Sequence, residues 1–389
     1  MSRSKQAEAE DVSTAYSVAL SQIGAETTVD ALALWAEVPV EQRAATAGGW
    51  LRKAITLVMG RRRQARDLAR AYYRLARALQ TGTTVADPYH PEPSHVTLGD
   101  LRREFAGLAG TYEPPGSESG EAATGEPGEA SPDSVGESGH AEEEAQVAPD
   151  LDEDQVLDEE GDDWERVLVE EFNRLREDEE RIEREAEEEL RTVLEALGTE
   201  NLHRRVSAID DQQPARDADR QREDAHRQAG SQQAAAAGRV AMNGGRSTTW
   251  NHMRRDGRAL GYVRLSRTGT PCGWCAMLIS RGVAYKNALT AQFKDGDLFH
   301  DHCHCYAEPI FSRQQYGSTA LFALNREYEA LWPKVTKGLS GKSAVSAWRR
   351  FIRQKQRAAA QEARRTTPTA QEASPVRADP SPDRRGPDP

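Results

Sequence analysis

All four cysteines of this 389-residue chain lie between residues 272 and 305, as Cys272-x-x-Cys275 and then His300-x-x-Cys303-x-Cys305. A structural zinc ion takes four converging nitrogen or sulfur ligands and prefers thiolates. Cys-x-x-Cys places two sulfurs on one tight turn, where Gly273 can adopt the conformation that aims backbone N–H groups at them and Pro271 stiffens the entry. Alternation along an extended strand puts Cys303 and Cys305 on one face and turns His304 away. Cys272, Cys275, His300, Cys303 and Cys305 are therefore five candidates for four positions around a structural Zn2+, with His302 and His304 in reserve. A redox dithiol pair and a set of buried cysteines without metal are the competing readings. Grouping every cysteine into two close pairs favours metal.

Catalytic zinc would need more. Zinc deaminases carry an HxE element ahead of PCxxC; Pro271–Cys275 supplies the second part, but the HAE of the chain, His140-Ala141-Glu142, lies far upstream in an acidic stretch. Gly341-Lys342-Ser343 lacks the first glycine of a phosphate loop, Thr336 standing in its place. No GxSxG is present. With no nucleophile–base constellation, the reading leans away from an enzyme.

A second chemistry is cationic. Between Gly49 and Leu79, apolar residues recur at helical spacing (Leu51, Ile55, Val58, Leu68, Tyr72, Leu75, Leu79), while Arg61, Arg62, Arg63, Arg66 and Arg70 crowd the other face, opposed only by Asp67. Such a face could meet the phosphates of packaged DNA or an acidic protein surface, or could be one solvated side of a helical bundle.

The elements that must carry these groups are mainly helical. Hydrophobic residues make up 37% of the chain and mean hydropathy is −0.76, too little apolar matter for one core of this length. The expected fold is mainly α with a small zinc-stapled α+β module, elongated, with long disordered segments. Residues 1–110 read as a helical domain, 111–163 as a disordered acidic linker and 164–240 as a charged long helix or coiled coil with a near-heptad apolar seam. Asn243-Gly244-Gly245 reads as a breaker ahead of the zinc module, 241–312. Leu260–Ser266, Val283–Tyr285 and Tyr306–Phe311 read as its strands. C-terminal helices follow at 313–360, and 361–389 reads as a disordered tail. From Tyr112 to Glu200 the chain carries 33 acidic residues against 6 basic ones, so this part holds −27 of a total of −12 and the remainder +15. No apolar run approaches a membrane span and no secretory leader is expected.

The run Asn243–Arg246, the stretch Arg267–Tyr285 with its PCGWC, and Phe299-His-Asp-His-Cys-His-Cys305 resemble minor head proteins of tailed phages, in the actinobacteriophage branch of the Mu F-like head morphogenesis family. The likeness covers roughly residues 10–110 and 235–355, and the acidic block departs from it. It implies a minor capsid protein inside the phage head, present in host cytoplasm during assembly, with the portal and the major capsid or scaffold proteins as partners and double-stranded DNA as a further one. The same branch often carries the label of capsid maturation protease, the alternative function.

Overall fold

The computed structural model describes residues 3–40, 43–89, 95–110, 112–113, 164–168, 175–210, 212–267, 271–285, 299, 301 and 303–366. The expected acidic linker and tail therefore lie almost wholly outside the described residues. The described chain is mainly helical, as its composition implies, and divides into two compact units: Met1–Arg267 with Val283–Phe322, and Thr268–Gly282 with Ala323–Pro389.

Three long helices organise the first unit: α1 (Arg3–Ala36), α2 (Arg43–Thr81) and α6 (Ala215–Arg255). What lets them approach is the small-residue composition of α6. A Cβ on Gly244 would sit 2.5 Å from the carbonyl oxygen of Arg62, one on Gly245 2.8 Å from that of Ala65, and one on Gly238 2.7 Å from that of Gly24. Side chains at those positions would push α1 and α2 away. This corrects the reading of Asn243-Gly244-Gly245 as a breaker: the helix runs straight through it. Two helical glycines cost roughly 1 kcal/mol each, and backbone-to-backbone packing offsets that cost. The expected boundary at 240/241 consequently falls inside one helix, and residues 1–110 share their core with α6.

The acidic stretch also folds differently from expectation. Trp164–Leu168 is a strand (β3) between β1 (Thr83–Val85), to which it is parallel, and β2 (His95–Thr97), to which it is antiparallel. Helix α4 (Leu175–Leu194) follows, then one π-helical turn and α5 (Glu200–Ser207). The apolar seam seen in sequence is real, but its partner lies in the same chain. Leu190, Leu194 and Leu202 are buried in a cluster with Trp35, Trp50, Ile55 and Val58. A seam reports that a face is covered, not by what.

A second sheet carries part of the candidate site. Its strands β4 (Gly261–Leu265), β5 (Ala284–Tyr285) and β6 (Tyr306–Ile310) run in the order β5-β4-β6, all antiparallel. Leu265 faces Tyr306 in the register, so residues 303–305 enter the sheet at that end. Both long strands are buried throughout. Val263, Leu265, Tyr306 and Ile310 join the core made by α1, α2 and α3 (Leu98–Ala109). Tyr262 and Ala307 join Tyr73, Met253 and Phe311.

Helix α8 (Arg313–Ser318) belongs to the first unit; among its described residues the second unit has three helices, α7 (Gly273–Ile279), α9 (Ala323–Val335) and α10 (Gly341–Thr366). Ala276, Met277, Ile279, Tyr328, Trp348 and Ile352 form its core. Gly341 opens α10 at φ +52°, a conformation that excludes most side chains.

Candidate metal site

The two thiol pairs belong to different units and are built by different local devices. In the second unit, Cys272 caps α7, its Sγ accepting a hydrogen bond from the backbone N–H of Cys275 at 3.4 Å. Cys275, on the first turn, is buried. The glycine between them is needed for space rather than for an unusual turn. Gly273 is absent from the left-handed region, and a Cβ there would lie 3.1 Å from the Cγ of Arg349 on α10. The chain entering this turn is tied down by Gln356, whose side-chain amide donates to the carbonyl of Pro271 at 3.0 Å.

In the first unit, Cys303 and Cys305 stand immediately before β6, both buried, with their sulfurs within 4.8 Å of one another. His304 between them is exposed. His300 and His302 lie outside the described residues. Asp301 is held by Arg239 at 2.8 Å.

A buried arginine, unforeseen from sequence, organises this half. Arg246 of α6 donates from Nε to the carbonyl of Cys305 at 3.0 Å, from one terminal nitrogen to the side chain of Asn243 at 2.9 Å, and from the other to the carbonyl of Cys303. Its guanidinium lies 4.1 Å from the centre of the Phe299 ring, and that of Arg264 lies 3.9 Å from the same ring. Burial pushes the Arg246 guanidinium down to about 10, with the charges of Cys303 and Cys305 acting in the opposite direction. Two buried cations are costly without nearby negative charge. Thiolates, free or on a metal, are the anions such surroundings suit. Cys275, Cys303 and Cys305 each offer one buried sulfur that could serve a metal ion. The donor type fits zinc, which when bound would supply a tetrahedral cross-link and no redox chemistry.

Four of the five arginines singled out on α2 have partners inside the chain. Arg61 pairs with Glu26 at 2.8 Å and Asp30 at 2.9 Å, Arg62 with Glu183 at 2.8 Å, and Arg66 with Glu179 at 3.1 Å. Arg70 pairs with Asp67 and lies 3.7 Å from Glu179. Arg63 alone of the five is exposed. Further along, Arg74 meets Glu104 at 2.6 Å and Arg77 meets Asp256 at 2.6 Å in full burial. Two of these acids, Glu179 and Glu183, come from α4, so part of the acidic stretch is matched directly to the arginines of α2.

A buried acid on β6 is a second group the sequence reading did not single out. Glu308 accepts hydrogen bonds from Tyr72 at 2.6 Å and Ser13 at 2.7 Å. Burial pushes its carboxyl up to about 7, outweighing those two donors and the nearby charge of Arg267. The signal that could have found it is a lone Glu in an otherwise apolar strand, Tyr306–Ile310, where alternation puts it on the same face as Tyr306.

Comparison with protein families points to a phage protein. The matching family model, described as VG15 protein, covers residues 208–331, about a third of the chain, and includes α6 and both thiol pairs. No curated protein matches, and no solved structure matches. Among the described residues no helix is long and apolar enough to cross a membrane.

Proposed function

We propose that this chain is a minor head protein of a tailed phage: an assembly component of the virion interior that contacts the portal and the major capsid or scaffold proteins. The observation that carries the reading is the VG15 match, which falls on the segment holding both thiol pairs. We further infer that Cys275, Cys303 and Cys305 hold one structural zinc ion, with Cys272 or His300 as the fourth ligand. A staple of this kind suits a chain whose C-terminal part has little core of its own.

Mass spectrometry of purified procapsids and virions tests the first statement. The chain should be present at a small fraction of the abundance of the major capsid protein, and its absence from both particles would refute the reading. Co-expression with the major capsid protein should leave that protein full length; trimming that depends on this chain would favour protease activity instead. For the metal, the purified full chain should carry about one zinc per molecule, lost in a Cys303→Ser/Cys305→Ser variant. A metal-free chain that is stable and indifferent to chelator would end the zinc reading while leaving the head-protein reading untouched.

A further inference from the structure

Exposed helical stretches of the first unit intersperse their charges. On α4, Arg176 pairs with Glu180 at 2.9 Å and Arg181 with Glu185 at 3.2 Å; on α6, Arg222 pairs with Asp219 at 2.8 Å. Helix α10 does not follow this pattern. It carries eight basic residues and a single acid, Glu362. Its rotation is fixed by Ala344, Trp348 and Ile352, buried at four-residue intervals. At 3.6 residues per turn, Arg350, Arg353 and Arg357 then fall on the side opposite Trp348. All three are exposed and none has an ion pair among the described residues. Lys355 does find an acid, Glu327, and lies off this stripe.

Like charges three and four residues apart repel along a helix, so an unrelieved arginine stripe calls for negative charge from outside. Its length is about 10 Å, seven residues at 1.5 Å rise. None of the large exposed apolar residues lies on α10, whereas the centre of a protein–protein interface is apolar and aromatic. Guanidinium forks match phosphate oxygens. A duplex offers an unbroken line of phosphates, one charge per roughly 1.7 Å of axis. We propose that the Arg350–Arg353–Arg357 face of α10 binds the phosphate backbone of double-stranded nucleic acid. With no aromatic residue on the stripe to stack on bases, the contact is independent of sequence. It depends neither on the zinc site nor on the head-protein reading.

The test is fluorescence anisotropy of the full chain on a labelled mixed-sequence duplex of about 30 base pairs across a potassium chloride series. The wild-type chain should show log K falling linearly with log salt. Arg350→Gln/Arg353→Gln/Arg357→Gln should weaken binding at least about tenfold near 0.1 M salt and reduce the slope by about 2 to 3, with an unchanged circular dichroism spectrum. Arg63→Gln, at the exposed arginine of α2, should bind as wild type. A triple variant that binds like wild type would overturn the proposal, as would an equal loss in the Arg63 variant. Poly-glutamate binding as tightly as the duplex at equal charge would overturn nucleic acid as the occupant.

Discussion

Helices α2 and α10 look alike in sequence and have opposite fates. Helix α2 holds ten basic residues and one acid in 39 positions; α10 holds eight and one in 26. Both show a clear apolar stripe with arginine on the remaining surface. Yet most arginines of α2 are enclosed by carboxylates from α1, α3, α4 and the end of α6, while the outer stripe of α10 meets none among the described residues. A basic helix is therefore not evidence of a polyanion site until its neighbours are known. Both helices carry a large excess of basic residues; what differs is the supply of acids around them.

Four measurements test this difference and the packing of the first unit. The largest effect is expected at Arg77→Met, which leaves Asp256 buried without its guanidinium. The loss should be about 3–5 kcal/mol in urea denaturation, the usual cost of orphaning a buried charge. A loss below roughly 1 kcal/mol would mean that the buried α2 arginines contribute no more than surface ion pairs do.

Gly244→Val comes next. Its first side-chain carbon would meet the backbone carbonyl oxygen of Arg62 at 2.5 Å, an atom that cannot swing aside as a side-chain end could. Thermal unfolding should register a loss of about 1–3 kcal/mol or more. A variant as stable as wild type would show that α2 and α6 leave room for a side chain between them.

The third concerns pH. The carboxyl of Glu308 is raised from 4.5 to about 7 in the folded chain, so between those values the folded state binds more protons than the unfolded one. Its contribution to stability is fully present below 4.5 and is lost as pH rises through about 7. Stability should fall by at most about 1.4 kcal/mol per pH unit across that window. Glu308→Gln should flatten this part of the profile, and an identical profile in the variant would remove Glu308 as its source.

The smallest effect belongs to α10. Neutralising Arg350, Arg353 and Arg357 together should change stability by no more than about 0.5 kcal/mol, as for surface positions without partners. A large destabilisation would place those arginines in the same class as their counterparts on α2.

Much of the local structure was legible in the residues. The strands around residues 261, 284 and 306 lie where β-branched and aromatic residues cluster, and the buried pair Cys303 and Cys305 flanks an exposed His304 as simple alternation requires. What could not be read depended on distant partners. Asn243-Gly244-Gly245 has the composition of a loop, and only the presence of α2 against it makes a glycine pair useful inside a helix. Trp164–Leu168 continues a heptad-like pattern in sequence, yet forms a strand because β1 and β2 offer open edges on either side. Arg246 stood in a run that resembled a known family, yet nothing in the sequence gave it a role, since an arginine beside a glycine pair is ordinary until the carbonyls of Cys303 and Cys305 are brought to it.

Residue type and spacing were enough to make the chain mainly helical, to group its thiols as two close pairs suited to a metal, and to give it two strongly basic helices. Both act over a few turns of chain. Which basic helix is neutralised internally, which glycines are contact points, and which buried groups stand behind Cys303 and Cys305 depended on packing between distant segments. Those outcomes turn on what lies within a few ångströms across the core, and periodicity carries no record of that.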